Sequence, residues 1–118
     1  MLTARELFAK ARARIKQVSS NDIRKLRDAG EPFVLIDVRE AKEWNLGHIP
    51  GAIHISRGIL ESNIEAHAPR DANVVLYCAS GNRSALSVLS LQEMGYQNVS
   101  SMEGGFKDWV ATGGDVED

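Results

Sequence analysis

The chain has 118 residues, 43% of them hydrophobic, with three histidines, one cysteine and a formal net charge of −2 at pH 7. A chain of this size buries about two-thirds of the surface its unfolded form exposes, so one globular core is expected without covalent staples. A single cysteine excludes an internal disulfide and any zinc site built on paired cysteines; no apolar run reaches signal-peptide or membrane-span length, so a cytoplasmic protein with no membrane partner is expected.

The charge is unevenly placed. Through Arg27 eight basic residues (Arg5, Lys10, Arg12, Arg14, Lys16, Arg24, Lys25 and Arg27) face only Glu6 and Asp22, which leaves −8 on the remainder. Residues 1–14 read as a basic helix added to a domain over 15–112, with an acidic tail at 113–118 that should fray.

Thr3-Ala4-Arg5-Glu6 is a capping box that opens the first helix, with Leu7, Phe8, Ala11 and Ile15 at helical spacing to about Arg14. A short strand follows at Lys16 to Val18. Ser19 with Asp22 repeats the capping signal for a second helix carrying Ile23 and Leu26, stopped by Gly30. Phe33 to Val38 is apolar on both faces, the mark of a buried parallel strand. A helix at Ala41 to Leu46, a strand at Ala52 to Ile55 after the Pro50-Gly51 turn, and a helix at Ile59 to Ala66 come next. Val74 to Tyr77 is a further buried strand, and Ser84 to Met94 a largely apolar helix closed by Gly95. A last strand spans Val99 to Met102, and Phe106, Trp109 and Val110 mark a last helix. Five short strands alternating with helices predict a three-layer α/β domain, its sheet mostly parallel and covered on both faces.

The only cysteine falls where the fourth strand gives way to a helix, the edge of an open α/β sheet at which reacting groups gather. A free cysteine is often just a small buried hydrophobe. Here Ala79-Ser80-Gly81-Asn82 is turn chemistry, and a tight turn running into a helix can aim several backbone N–H groups at one atom. Those donors, the helix end and Arg83 would favour thiolate over thiol, so Cys78 is the candidate nucleophile. Arg83 stands at a helix start, where a cation is unfavourable against the macrodipole; an anionic substrate would supply the compensation. Ser84 could cap that helix or donate to the sulfur, capping being the simpler role.

Asp37-Val38-Arg39, Glu43-Trp44, Gly47-His48-Ile49-Pro50-Gly51-Ala52, Tyr77-Cys78-Ala79-Ser80-Gly81-Asn82-Arg83-Ser84 and Glu103-Gly104-Gly105-Phe106 with Trp109 follow one another in an order that resembles the single-domain rhodaneses. The resemblance runs from about Ile15 to Ala111. It implies a five-stranded parallel sheet with helices on both faces and sulfur transfer through a cysteine persulfide. It also implies structural service for Asp37, bonding nearby backbone, and for Arg39, pairing with Glu43 or neighbouring acids to fix the loops. His48 reads as a satisfied structural histidine, and Trp44, Phe106 and Trp109 as core or pocket wall.

On this reading Cys78 attacks the outer sulfur of a donor such as thiosulfate, Arg83 orients the anionic end, and the backbone of Ala79, Ser80, Gly81, Asn82 and Ser84 holds the persulfide's charge. No cofactor and no metal is expected. With no second cysteine to resolve the persulfide, the partners are a small sulfur donor and an external acceptor, whether cyanide, a thiol or a protein. The basic helix suits a sulfur-relay module docking on an acidic protein or an RNA-linked partner, although nothing in the residues specifies RNA, and no DNA partner is expected. Rhodanese-fold phosphatases and arsenate reductases place five residues between cysteine and arginine, after a histidine. Here four separate Cys78 from Arg83, and Tyr77 precedes the cysteine, a smaller cradle suited to one sulfur rather than to phosphate.

Overall fold

The computed structural model describes residues 1–118. Two capping boxes start the chain as expected. Thr3 accepts the Glu6 N–H and Glu6 returns a bond to the Thr3 N–H at α1 (Ala4–Ala13), and Ser19 and Asp22 do the same at α2 (Ser20–Asp28). Between them lies β1 (Lys16–Val18). Then follow β2 (Val34–Asp37), α3 (Ala41–Asn45), β3 (Ile53–His54), α4 (Leu60–Asn63), β4 (Val74–Tyr77), α5 (Asn82–Glu93), β5 (Val99–Met102) and α6 (Gly105–Ala111).

The five strands form one sheet in the order β1-β5-β4-β2-β3, every neighbouring pair parallel. Because a strand's side chains alternate between faces, β4 supplies Val74, Leu76 and then Cys78 to one half-core and Val75 and Tyr77 to the other. The first half-core is completed by Val88 and Leu91 of α5 and by Leu60 and Ile64, the second by Ile23 of α2 and Trp109 of α6. Ala11 of α1 is also buried. This is the doubly covered parallel sheet that the continuously apolar strands predict, and β4 lies at its centre with its C-terminal end opening onto the Cys78 turn.

Two segments differ from expectation. Ile59 to Ala66 is not one helix: α4 is a single α-turn flanked by 3₁₀ turns at Arg57–Ile59 and Ile64–Ala66. Only Leu60 and Ile64 are buried there, and the Asn63 side chain takes the Ile59 carbonyl, so local bonding competes with a regular ladder. The tail expected to fray meets a distant partner: His48 and Glu117 exchange two backbone bonds of 2.9 and 3.0 Å, and the Trp109 indole donates to the Asp115 carbonyl at 2.7 Å.

Candidate active site

Gly81 sets the geometry of the turn. It is the N-cap of α5 with φ +101°, left-handed backbone that favours glycine, so α5 begins at Asn82, two residues earlier than its sequence pattern suggests. The turn brings the Gly81 N–H to 3.1 Å and the Ser84 N–H to 3.4 Å from the Cys78 Sγ. Ser84 does not cap the helix. Its hydroxyl lies 3.5 Å from Sγ and 2.7 Å from the hydroxyl of Ser101, a buried residue of β5. A thiolate can only accept, so the geometry fixes a relay in which Ser101 donates to Ser84 and Ser84 donates to sulfur.

Burial alone would push the Cys78 thiol up. The Ser84 hydroxyl and the N–H groups of Ser84, Ser80 and Gly81 outweigh it and hold the thiol below its ordinary value. The sulfur itself is almost wholly covered, at 1% exposure for the residue. Ala79, Asn82 and Arg83 are half-buried and Ser80 is exposed, so the turn's outer side faces solvent.

A second helix grips the same turn from the opposite face of the sheet. At the start of α6 the Phe106 N–H donates to the Cys78 carbonyl at 2.8 Å and the Lys107 N–H to the Ala79 carbonyl at 3.0 Å. Gly105, at φ +57°, allows this approach: a Cβ there would run into the Cys78 carbonyl oxygen and stand 2.8 Å from the Ala79 carbonyl carbon. Glu103-Gly104-Gly105-Phe106, a motif without an assigned role in the sequence, thus clamps the turn's backbone.

Of the two alternatives expected for Arg39, Glu43 or a neighbouring acid, the structure shows the second. Asp37 accepts from the Arg39 backbone N–H at 2.9 Å and from its guanidinium at 2.8 to 3.1 Å, while Arg39 also donates to the Gly47 carbonyl at 2.7 Å. Burial works against the Arg39 charge, but Asp37 more than offsets it and raises its pKa. The Arg39 guanidinium lies 4.2 Å over the Phe106 ring, which ties the β2 end to the clamp on Cys78.

Glu43 instead meets Arg83, with two bonds of 2.8 and 3.1 Å, and its Oε1 also accepts the Glu40 N–H at 3.0 Å. The Arg83 hydrogen bond is the main reason that the Glu43 pKa is lowered to about 2. Arg83, expected to compensate its place at a helix start with a bound anion, already has a carboxylate. Two of the five guanidinium N–H donors are engaged there, and the rest remain for another ligand.

His48 stacks on Trp44 with ring centroids 3.4 Å apart, its Nδ1 3.2 Å from the Trp44 carbonyl and its Nε2 3.3 Å from Glu117. Both ring nitrogens are satisfied, and neither bonds the sulfur. Trp109 is buried in the core, and Phe106 packs beside Tyr77. The largest cavity, about 670 Å³, opens by Phe33, Val34, Asn73 and Asn98 at the N-terminal ends of β2, β4 and β5, the far end of the sheet from Cys78.

The model of the rhodanese-like domain family matches residues 19–112. Over 97 residues the chain is 35% identical to the thiosulfate sulfurtransferase GlpE of Ectopseudomonas mendocina, covering 82% of this chain and 86% of that protein. It is 33% identical over 94 residues to a Mycobacterium tuberculosis protein named "Probable adenylyltransferase/sulfurtransferase MoeZ", where the match covers 79% of this chain and only 24% of the much longer relative. Among solved structures, a Rhodopseudomonas palustris protein of unknown function, described as "Possible Tyrosine Phosphatase", superposes with a TM-score of 0.87 at 32% identity, over 99% of this chain and 96% of that one.

Proposed function

The chain belongs to the rhodanese-like domain family, whose sulfurtransferases are among its relatives, and from that premise we propose that it carries sulfane sulfur as a persulfide on Cys78. The donor is thiosulfate or a persulfide, and the acceptor is cyanide or a thiol. The observation that carries this reading is the cradle at Sγ: three donors from Gly81 and Ser84 converge on a thiol held below its ordinary pKa.

In the first step the Cys78 thiolate attacks the outer sulfur of thiosulfate. A Cys78 S–S bond forms, the donor's S–S bond breaks, and sulfite leaves with the electron pair. The anionic outer sulfur then lies against the N–H groups of the turn, which replace water with dipoles already in place. Arg83 meets the sulfonate with the N–H groups that Glu43 leaves free. In the second step cyanide or a thiolate takes the outer sulfur, and Cys78 returns to thiolate. Asp37, Arg39 and Glu43 serve by holding the loops and the arginine.

Intact-mass measurement after incubation with thiosulfate tests this. One added sulfur, about 32 Da, is expected, removed by cyanide and absent in Cys78→Ala. The description of the Rhodopseudomonas structure makes phosphate-ester hydrolysis the reading to test beside it. The four-residue gap between Cys78 and Arg83 argues against it, because a tetrahedral phosphate needs a wider ring of N–H groups than one sulfur does. Turnover of p-nitrophenyl phosphate without any sulfur adduct would reverse the assignment.

A further inference from the structure

We propose that the cleft between α1 and the start of α5 binds the carboxylates of a small acceptor thiol and aims its sulfur at the Cys78 turn. The inference rests on the persulfide reading and adds to it the place at which a carboxylate-bearing acceptor is held.

The cleft has a volume of about 350 Å³ and is lined by Arg5, Phe8, Arg12 and Asn82. The first three recur at helical spacing and share one face of α1. Arg12 donates to the Asn82 side-chain oxygen at 2.6 Å, and Asn82 directly follows Gly81, whose N–H bonds the Cys78 sulfur. The cleft therefore borders the sulfur's own cradle.

Its charge is uncompensated. Neither Arg5 nor Arg12 belongs to any of the five ion pairs of the molecule. Glu6, the one acid of α1, is bonded back to the Thr3 N–H at its cap. Exposed Lys10 and Arg14 add to the local positive potential. Two guanidiniums without a carboxylate partner next to an aromatic ring suit an organic molecule with carboxylates: Arg5 and the N–H groups of Arg12 that Asn82 does not take can each meet one carboxylate, and Phe8 can cover the carbon skeleton. The volume is that of a small-molecule site. The family match begins at Ser19, beyond α1, so Arg5, Phe8 and Arg12 lie outside the matched range and only Asn82 of the cleft lies within it.

The step it serves balances without a further reagent. The acceptor's thiolate attacks the outer sulfur of the Cys78 persulfide, a new S–S bond forms on the acceptor, and the bond at Cys78 breaks. The electron pair stays on Cys78, and the acceptor departs as a persulfide anion.

Steady-state kinetics of the full chain, with thiosulfate as donor, test the cleft with three acceptors: glutathione, which bears two carboxylates, 2-mercaptoethanol, which bears none, and cyanide. Arg5→Glu is the variant of choice, because Arg5 is exposed and touches neither the turn nor another element through a hydrogen bond. The expected result is a KM for glutathione raised about tenfold or more, as reversing a contact charge implies, with the other two acceptors within about twofold. An equal change for all three acceptors, or no change with glutathione, overturns the proposal. If Cys78 takes up no sulfur at all, the persulfide reading fails on its own. Titration with S-methylglutathione, followed by NMR at the Asn82 side-chain amide, then still decides the cleft: a saturating shift lost in Arg5→Glu supports it, and no shift overturns it.

Discussion

Ser84 stands at the third position of α5 with its hydroxyl between Ser101 and the Cys78 sulfur. A hydrogen bond to a charged group contributes about 1.5 to 3 kcal/mol, so Ser84→Ala should raise the Cys78 pKa. The sign follows from the bond favouring the thiolate: without it, alkylation by iodoacetamide should reach half its maximal rate at higher pH. Ser101→Ala should move the profile the same way by less, since Ser101 acts only through Ser84. Cys78 and its turn were legible in the sequence because a strand, a glycine turn and a helix lie there in unbroken order. The Glu43–Arg83 pair was not, because its members lie 40 positions apart and either arginine of the site could have claimed the acid. Ser101 left only a faint signal, a pair of serines in a strand whose neighbours are apolar; a buried hydroxyl implies a partner but does not say which.

The six helices were read with unequal success, and caps explain the difference. Thr3 and Ser19 announce α1 and α2 through side-chain bonds three residues away, an interaction local enough to be written in four letters. α5 and α6 instead start at Gly81 and Gly104, which offer no side-chain cap, and their first turns are fixed by what they touch. α6 is fixed by the carbonyls of Cys78 and Ala79. Gly105→Ala should therefore do more than lower helix quality: the added methyl strikes that backbone in a conformation that already favours glycine. A loss of about 1 to 3 kcal/mol in urea unfolding is expected, of the size that overpacking causes, together with slower alkylation of Cys78 as the turn is pushed out of register. An alanine at exposed Gly113, where a Cβ meets nothing, should lose less, leaving only the cost of its positive φ.

At the scale of the molecule, the five strands and the doubly covered sheet were legible because β2 and β4 are apolar on both faces, whereas the docking of the tail on His48 depended on residues 69 positions apart in the chain. Charge couples the folded state to pH. Glu43, held at about 2 by Arg83, titrates near 4.5 when unfolded. A carboxylate depressed on folding contributes stability that is fully present above its unfolded pKa and is lost as pH falls through its folded one, so the window runs from about 4.5 down to about 2. The two side chains are 30% and 35% exposed, and solvent screening reduces the effect to the order of 1 kcal/mol. Urea midpoints at pH 5 and pH 2.5 should differ less in Glu43→Gln than in the wild type. Asp22, held down by its bonds to Ser19, adds a slope of the same sign that the substitution leaves in place. The grip of α5 on the sulfur and of α6 on the carbonyl of the same residue, from opposite sides of the sheet, has a kinetic meaning. Such a socket has little freedom to rearrange as cargo arrives or departs, so its reorganisation energy is met during folding rather than in each turnover.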